Sequence, residues 1–272
     1  MAIDKAVDSS QLNADLKTIA DAIRSKGGTS DALTFPDGFA DAISAIQAGS
    51  GGSDELFIAR IQNTLEEVTL PLSVTYIGQF GFSNATSLKR ITGNGVTKLN
   101  PSAFENCTNL VEVNLPNWSW EFGAKHAFDG CSALASISFP NLKSLGSSSG
   151  YTFRNCTALV SVNLPMLKLG SIQIFSGCKA LPLIDLPSLD KINNTMFPNC
   201  SNLKTIILRK NALVGLEAVA GLNGTPFASG GTGGTVYVPQ ALIESYQTAT
   251  NWSTLYAAGT CNILPIEGSE YE

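Results

Sequence analysis

Five cysteines recur at a nearly constant spacing, and this recurrence limits how the chain can fold more than any other feature does. They are Cys107, Cys131, Cys156, Cys178 and Cys200. The intervals between them are 24, 25, 22 and 22 residues, and each cysteine stands three residues after a phenylalanine and three before a leucine. A sixth copy of the phrase has Ala85 in place of the cysteine. Repetition at this period is typical of a solenoid, in which each repeat forms one turn of a coil.

A short stretch of alternating apolar and polar residues that ends in proline follows each phrase. The four clearest stretches are 112–116, 136–140, 161–165 and 183–187. Alternation with a period of two predicts strands, and a proline cannot continue a hydrogen-bonded ladder. Because one repeat buries almost nothing alone, we expect the repeats to stack about 4.8 Å apart and to align their Phe, Cys, Leu and Val or Ile side chains in one core.

The cysteines suit the core of such a coil. Cysteine is a small and readily buried apolar residue, and its replacement by Ala85 is consistent with a tight internal position. A chain of 272 residues that is 44% hydrophobic does not need disulfides to hold a core. We therefore interpret the cysteines as an inert ladder of thiols, and disulfides between adjacent turns remain possible without being required.

The phrase from Leu65 to Phe82 resembles the BspA-type leucine-rich repeat, in which a strand ending in Leu-Pro is followed by a Val-x-x-Ile-Gly step and an aromatic turn. The resemblance covers about residues 55–238, and the segment from Val236 to Ser253 is similar to the strand and helix that close such coils. It implies a mainly β leucine-rich-repeat solenoid with helical ends, preceded here by a short helical module. It also implies binding and adhesion at microbial surfaces, and it brings no catalytic residue.

The pattern of apolar residues in segment 1–48 predicts that helical module. Apolar residues recur three or four positions apart in two segments, which favours two short amphipathic helices. The residues of the two apolar stripes are Leu12, Leu16, Ile19, Ile23, Phe39 and Ile43. Two short helices cannot bury both stripes in one hairpin, so we expect self-association into a homo-oligomer or attachment to another protein, with packing on the first solenoid turn as the alternative.

The chain is thus divided into four parts. The helical module at 1–48 is followed by a Gly/Ser linker at 49–54, the solenoid at 55–234 and a strand–helix cap at 235–272.

The segment 16–43 resembles the N-terminal part of tail-associated structural proteins from phages and prophages of Gram-positive gut bacteria. This resemblance implies a virion protein that is made in the host cytosol and contacts other virion proteins through residues 1–48. It is consistent with the N-terminus, where Asp4, Lys5 and Asp8 leave no apolar core for a signal peptide. No apolar stretch approaches the ~20 residues that cross a bilayer, so we expect no membrane insertion.

Charge and composition exclude further classes of function. The chain has 17 Lys and Arg against 22 Asp and Glu, which provides no basic surface for nucleic acid. The single histidine, His126, argues against a multi-histidine metal site and lacks a Gly-x-Ser-x-Gly motif beside it. Acidic residues such as Asp185 and Asp190 are interpreted as solvated surface groups, although carboxylates paired for sugar hydrolysis are identified only by their separation in space. We expect no metal, no cofactor and no enzymatic activity.

Two repeats are longer than the others and supply the candidate ligand site. The repeats that begin at Phe104 and Phe128 carry two and three extra residues. Insertions in a solenoid map to loops, often on the binding side, and consecutive loops should lie side by side. Aromatic residues flanked by Ser and Asn suit contacts with a saccharide or a protein. The candidate residues are Asn117, Trp120, Ser149 and Tyr151, whereas Trp118 has the register of a core leucine and is expected inside.

The sequence therefore favours a noncatalytic phage virion protein, tail-associated or surface-exposed, whose solenoid adheres to a host-surface glycan or protein. One alternative is a structural or decoration protein that stabilises the virion, and another is a fragment of a bacterial surface adhesin. A glycan-cleaving enzyme is the least favoured alternative, because it would need paired carboxylates.

Overall fold

The chain coils into a β-solenoid, so the predicted mainly β architecture is confirmed. A computed structural model describes residues 65–119, 123–145, 150–193, 195–228 and 230–272. The strands are β1 (Glu67–Thr69), β2 (Tyr76–Ile77), β3 (Arg90–Thr92), β4 (Lys98–Leu99), β5 (Glu112–Asn114), β6 (Ser136–Ser138), β7 (Ser161–Asn163), β8 (Leu183–Asp185), β9 (Lys191–Ile192), β10 (Thr205–Ile207), β11 (Gly215–Leu216), β12 (Gly234–Val238) and β13 (Cys261–Pro265). The α-helices are α1 (Ile243–Thr248) and α2 (Trp252–Ala257), and 3-10 helices span Val219–Leu222 and Gln240–Leu242.

Parallel strands from successive turns form the first face of the coil. The order β1-β3-β5 places Val68, Ile91 and Val113 opposite one another, and β8, β10, β12 and β13 form a second parallel sheet. Each of the four predicted stretches contains a strand, β5 to β8, that ends two residues before its proline. The middle residue of β5, Val113, is buried between exposed neighbours, as the two-residue period predicts.

Shorter strands form a second face. β2 pairs with β4 and β9 pairs with β11, again in parallel. Between these pairs the ladder continues as single bridges from Ser144 to Leu169 and from Leu169 to Lys191.

The aromatic turns form a third face. Within the described residues, the Phe104 amide donates to Ala127 O at 2.7 Å and the Phe128 amide to Thr152 O at 2.8 Å, so these turns also bond from one repeat to the next. The phenylalanine rings stack inward, with centroids of neighbouring rings 5.0–5.7 Å apart. The stack consists of Phe82, Phe104, Phe128, Phe153, Phe175 and Phe197. It supplies the continuous core that one repeat lacks.

The cysteines lie beside this stack as a ladder of free, buried thiols, which confirms their interpretation as core residues. Each repeat cysteine also donates a hydrogen bond from Sγ to the phenylalanine carbonyl oxygen of the preceding turn, over 2.9–3.3 Å. Burial raises the pKa of the Cys131, Cys156 and Cys178 thiols well above the usual value and that of Cys200 to about 12. Neutral, buried thiols of this kind are poor nucleophiles.

The C-terminal cap contains the predicted strand and helices as β12, α1 and α2, and one further strand that the sequence analysis missed. β13 follows α2 and pairs in parallel with β12, so a strand also follows the helices. The cap is tied to the coil at Val214, whose amide donates to Tyr246 Oη at 2.9 Å and whose carbonyl oxygen accepts from Trp252 Nε1 at 2.8 Å. None of the described helices has the length and apolar character required to span a membrane.

The predicted module at 1–48 and the linker at 49–54 lie outside the described residues. Their apolar stripe residues, Leu12, Leu16, Ile19, Ile23, Phe39 and Ile43, therefore stay predictions. Residues Leu65–Glu272 form one compact unit.

Candidate functional site

Both insertions end at the same corner of the coil, between the second face and the aromatic turns. His126, a few residues after the first insertion, is in register with Tyr151, which follows the second, because the His126 amide donates to Gly150 O at 3.1 Å. Tyr151 in turn donates from its amide to Ile172 O at 3.0 Å, in the shorter repeat that follows. That the two inserted loops themselves lie side by side stays a prediction. Residues 120–122 and 146–149, including Trp120 and Ser149, lie outside the described residues.

Left-handed backbone places two rings against each other at this corner. His126 and Tyr151 have φ values of 56° and 65°, which non-glycine residues adopt rarely. Phe80, Ser102 and Gln173 share this conformation, so it belongs to the turn and not to one side chain. The imidazole and phenol rings stack with centroids 4.7 Å apart and planes at 4°.

A buried carboxylate joins the two rings to the third face. Asp129 is only 3% exposed, and its Oδ2 lies 2.8 Å from His126 Nδ1 and 2.9 Å from Arg154 Nε. The Arg154 guanidinium also lies 4.8 Å from the centre of the Tyr151 ring. Burying a carboxylate is costly unless it is paired and hydrogen-bonded, and these contacts supply both. The hydrogen bond to Asp129 raises the pKa of Arg154.

The same position of three successive turns carries Glu105, Asp129 and Arg154, each directly after the stacked phenylalanine. Glu105, His126 and Asp129 offer ligand atoms within 4.8 Å of one another, the geometry of a candidate cation site. Arg154 already provides the positive charge beside Asp129 that a metal ion would bring, and a metal would have to displace it. The arrangement therefore fits a charge-balanced brace better than a metal centre.

The predicted site residues separate into two regions of the coil. Tyr151 belongs to the corner described above, but its ring already contacts His126 and Arg154. Asn117 lies past the end of β5, is exposed, and donates from Nδ2 to Asn94 O at 2.7 Å. Asn141 makes the equivalent bond to Pro116 O, so the Asn117 donor has a structural role in the turn. Trp118 is fully buried, as expected, and its ring meets that of Phe139 edge-on at 4.7 Å.

The groups considered for catalysis have structural partners. Asp185 Oδ2 accepts from Arg209 Nε at 2.8 Å, and Asp190 pairs with Lys210, so each of these carboxylates has its own cation. His126 faces a carboxylate that Arg154 shares. Sequence reasoning missed the Asp129–Arg154 pair, although opposite charges at one register position of consecutive repeats were a visible signal.

The stacked turns, the Leu-Pro strand ends and the inward leucines define the class of leucine-rich-repeat solenoids. The family model described as BspA type leucine rich repeat region matches residues 59–172 and 125–218 in six copies, which together span more than half of the chain. The chain belongs to this family.

Several solved structures of leucine-rich-repeat proteins are similar to this chain. One is a leucine rich cell surface protein from Faecalibacterium prausnitzii, with 18% identity, TM-score 0.36, and coverage of 76% of this chain and 80% of that chain. A leucine-rich repeat protein from Bacteroides ovatus has 18% identity and a TM-score of 0.33, with coverage of 76% of this chain and 85% of that chain. A leucine-rich repeat protein from T. pallidum has 17% identity and a TM-score of 0.34, with coverage of 74% of this chain and 87% of that chain. Among curated protein sequences, none matches.

Proposed function

We propose that the protein is a noncatalytic adhesion protein whose solenoid binds a glycan or protein on a host cell surface at the corner where the insertions end. The observation that carries the proposal is the brace at this corner. His126 and Tyr151, which lie a few residues after the two insertions, stack on each other and are held by Asp129 and Arg154. Loops that start from fixed positions lose less conformational freedom when they bind.

The distribution of chemical groups supports binding over catalysis. The ladder thiols are buried, their pKa values are raised where a shift is resolved, and Asp185 and Asp190 are each paired with a cation. The polar side chains at the corner hydrogen-bond one another, which fixes the orientation of the His126 and Tyr151 rings. Membership of the BspA-type repeat family is consistent with a binding role.

The biological setting in this proposal is a phage virion, with residues 1–48 attaching the solenoid to other virion proteins or to further copies. Its support is the resemblance of segment 16–43 to tail-associated proteins. Immunogold labelling of purified particles tests this setting, and we expect label on the tail or surface. Label on the bacterial envelope in the absence of particles would favour the surface-adhesin alternative. Label on the particles combined with no binding to host cells would favour a decoration protein.

Binding of the full-length protein to cells tests the function itself. We expect the fluorescent protein to bind a subset of Gram-positive gut bacteria, and Tyr151→Gln to reduce that binding. Gln173 occupies the equivalent left-handed position, so glutamine is compatible with the backbone there. Gln173→Ser is the matched control, since Ser102 occupies the same register, and it should bind as the unmodified chain does. Equal binding by all three proteins would contradict the corner as the site, and release of soluble sugar from the envelope would contradict a noncatalytic role.

A further inference from the structure

A polar groove crosses successive turns where the third face meets the first. It encloses about 580 Å³, and its lining includes Asn155, Ser176, Gly177, Lys179, Asn199 and Gly224. These residues come from equivalent positions of neighbouring repeats, so the groove runs along the axis of the coil. One end of the groove adjoins the brace, because Asn155 Nδ2 donates to Asp129 Oδ1 at 3.4 Å.

Glycines in alternate turns leave room in the groove for the asparagine carboxamides of the preceding turns. Gly177 and Gly224 have φ values of 75° and 70°, and a Cβ atom on either would lie 2.6 Å from the Oδ1 atom of the asparagine one turn earlier. Those asparagines are Asn155 and Asn199. Each carboxamide therefore extends over the glycine of the next turn, where any larger residue would displace it.

Three hydrogen-bonding groups of the groove have no partner among the described residues. Ser176 is 8% exposed, and its hydroxyl makes no hydrogen bond within the part of the chain that the structure describes. The Asn199 carboxamide and the Lys179 ammonium likewise make no side-chain hydrogen bond or ion pair there. The equivalent Asn106, outside the groove, donates to Asn84 Oδ1 at 3.3 Å. The Ser176 hydroxyl oxygen still reaches solvent, so it can exchange a water for a hydroxyl of a ligand in the groove.

We propose that this groove binds an extended, hydroxyl-rich chain that carries a carboxylate, that is, an acidic oligosaccharide. Adjacent turns are about 4.8 Å apart, so the carboxamides of Asn155 and Asn199, two turns apart, recur at about 9.6 Å, close to the length of two sugars in an extended glycan. Ser176 and Asn199 hydrogen-bond ligand hydroxyls, and Lys179 pairs with the carboxylate. The absence of acidic residues among the lining residues given above favours an anionic ligand. The inference goes beyond the proposed function, because it assigns a second site and the chemical class of its ligand.

Calorimetric titration of the full-length protein with three probes tests the ligand class. The probes are a hexamer of galacturonic acid, a neutral glucose hexamer and a hexapeptide of glutamate. We expect the galacturonic acid hexamer to bind, less tightly as salt is added, and each of the others to bind about tenfold more weakly or not at all. Equal binding of the neutral hexamer would overturn the role of Lys179, equal binding of the peptide would overturn recognition of hydroxyls, and no binding of any probe would overturn the site.

Substitutions that leave the backbone unstrained test whether the ligand binds in the groove. Glycine already occupies the left-handed register at Gly130, Gly177 and Gly224, so Asn199→Gly removes only the carboxamide. We expect Asn199→Gly and Lys179→Gln each to weaken binding of the galacturonic acid hexamer about tenfold, with unchanged circular dichroism. Asn106→Gly, on the same ladder outside the groove, is the matched control and should bind normally. An equal loss in the control, or no loss in the two groove variants, would overturn the proposal.

The two sites can fail independently. Tyr151→Gln should reduce cell binding and leave binding of the hexamer unchanged, because Tyr151 does not line the groove. Cell binding that survives Tyr151→Gln while Asn199→Gly abolishes hexamer binding would contradict the proposed corner and leave the groove intact.

Discussion

The imidazole of His126 and the phenol of Tyr151 lie parallel, 4.7 Å apart, although 25 residues separate them in the chain. The two residues occupy the same position in adjacent turns of the solenoid. Asp129 fixes the stacked rings through its contacts with His126 and Arg154. The turns that follow the two insertions are thereby linked to one buried carboxylate. The stability of this corner consequently depends on an ion pair whose carboxylate is buried directly after the stacked Phe128.

Removing the charge of that carboxylate should destabilise the protein. Asp129→Asn leaves Arg154 without its counter-ion, and because the Arg154 side chain is 34% exposed, water compensates part of the loss. We expect the free energy of unfolding to fall by about 2 kcal/mol in urea titrations. The double variant Asp129→Asn/Arg154→Gln should recover part of the lost free energy of unfolding.

An exposed ion pair provides the control for this measurement. Glu66→Gln breaks the pair with Lys89, whose side chain is 48% exposed, and should change stability by less than about 0.5 kcal/mol. Equal effects of Asp129→Asn and Glu66→Gln would contradict the account of the brace.

Alkaline pH should weaken the fold through the thiol ladder. Burial raises the pKa of thiols such as Cys178 and Cys200 in the folded chain, so the folded state keeps its thiol protons at pH values where the unfolded state loses them. The stabilisation is therefore complete below the unfolded pKa of about 8.5 and is lost as pH rises above it, by up to about 1.4 kcal/mol per pH unit for each thiol. Unfolding free energies measured from pH 7 to 10 check this.

A variant with one fewer thiol isolates the effect. Alanine already occupies the ladder position at Ala85, so Cys178→Ala should fold, with a loss of about 1–2 kcal/mol for the missing hydrogen bond to Phe153 O and the space left behind. Its stability should decline less steeply with pH than that of the unmodified chain. The same slope in both proteins would rule out a contribution from Cys178.

Gly177 should tolerate asparagine better than alanine. Alanine is strained at φ 75°, and its Cβ would lie 2.6 Å from Asn155 Oδ1, so we expect Gly177→Ala to cost about 1–3 kcal/mol. Asparagine adopts left-handed backbone more readily, and Asn106 shows that two asparagines in adjacent turns can hydrogen-bond. Thermal unfolding of both variants checks the order. Gly215→Ala is the control, since its Cβ would make an ordinary 3.6 Å contact with Lys191.

Tyr246→Phe should loosen the C-terminal cap. The variant removes the hydroxyl that accepts from the buried Val214 amide, and an unsatisfied buried N–H costs about 1–3 kcal/mol. Hydrogen exchange at the Val214 amide should accelerate together with the loss of stability. Tyr256→Phe, at a residue that is 43% exposed, should change neither quantity. Unchanged exchange at Val214 in Tyr246→Phe would argue against this tie.

Period and local pattern predicted the features that repeat. The strands β5 to β8, the buried cysteines and the inward position of Trp118 all follow from aligning six copies of one phrase. The final strand could have been found in the same way, because Cys261–Pro265 alternates in burial over its first four residues and carries a Leu-Pro step like that after β5, β7 and β8.

Contacts between side chains of different turns were harder to predict. The link between Asp129 and Arg154 depends on how the two turns align across the second insertion. The length of that insertion does not reveal which face of the coil it extends. Nor does local propensity reveal that Asn155 lies over Gly177, since that contact requires the left-handed conformation of both residues. Trp120 and Ser149 remain predictions.

The direction of the thiol bonds bears on how the molecule is made. Cys107 donates to Phe82, and every later ladder cysteine also donates to the turn before its own, never to the one after. During translation the N-terminal part of a chain emerges first. The thiol of each newly synthesised repeat therefore meets an acceptor that has already left the ribosome, whereas backbone amides of the aromatic turns, such as that of Phe104, gain their acceptor only when the following turn arrives.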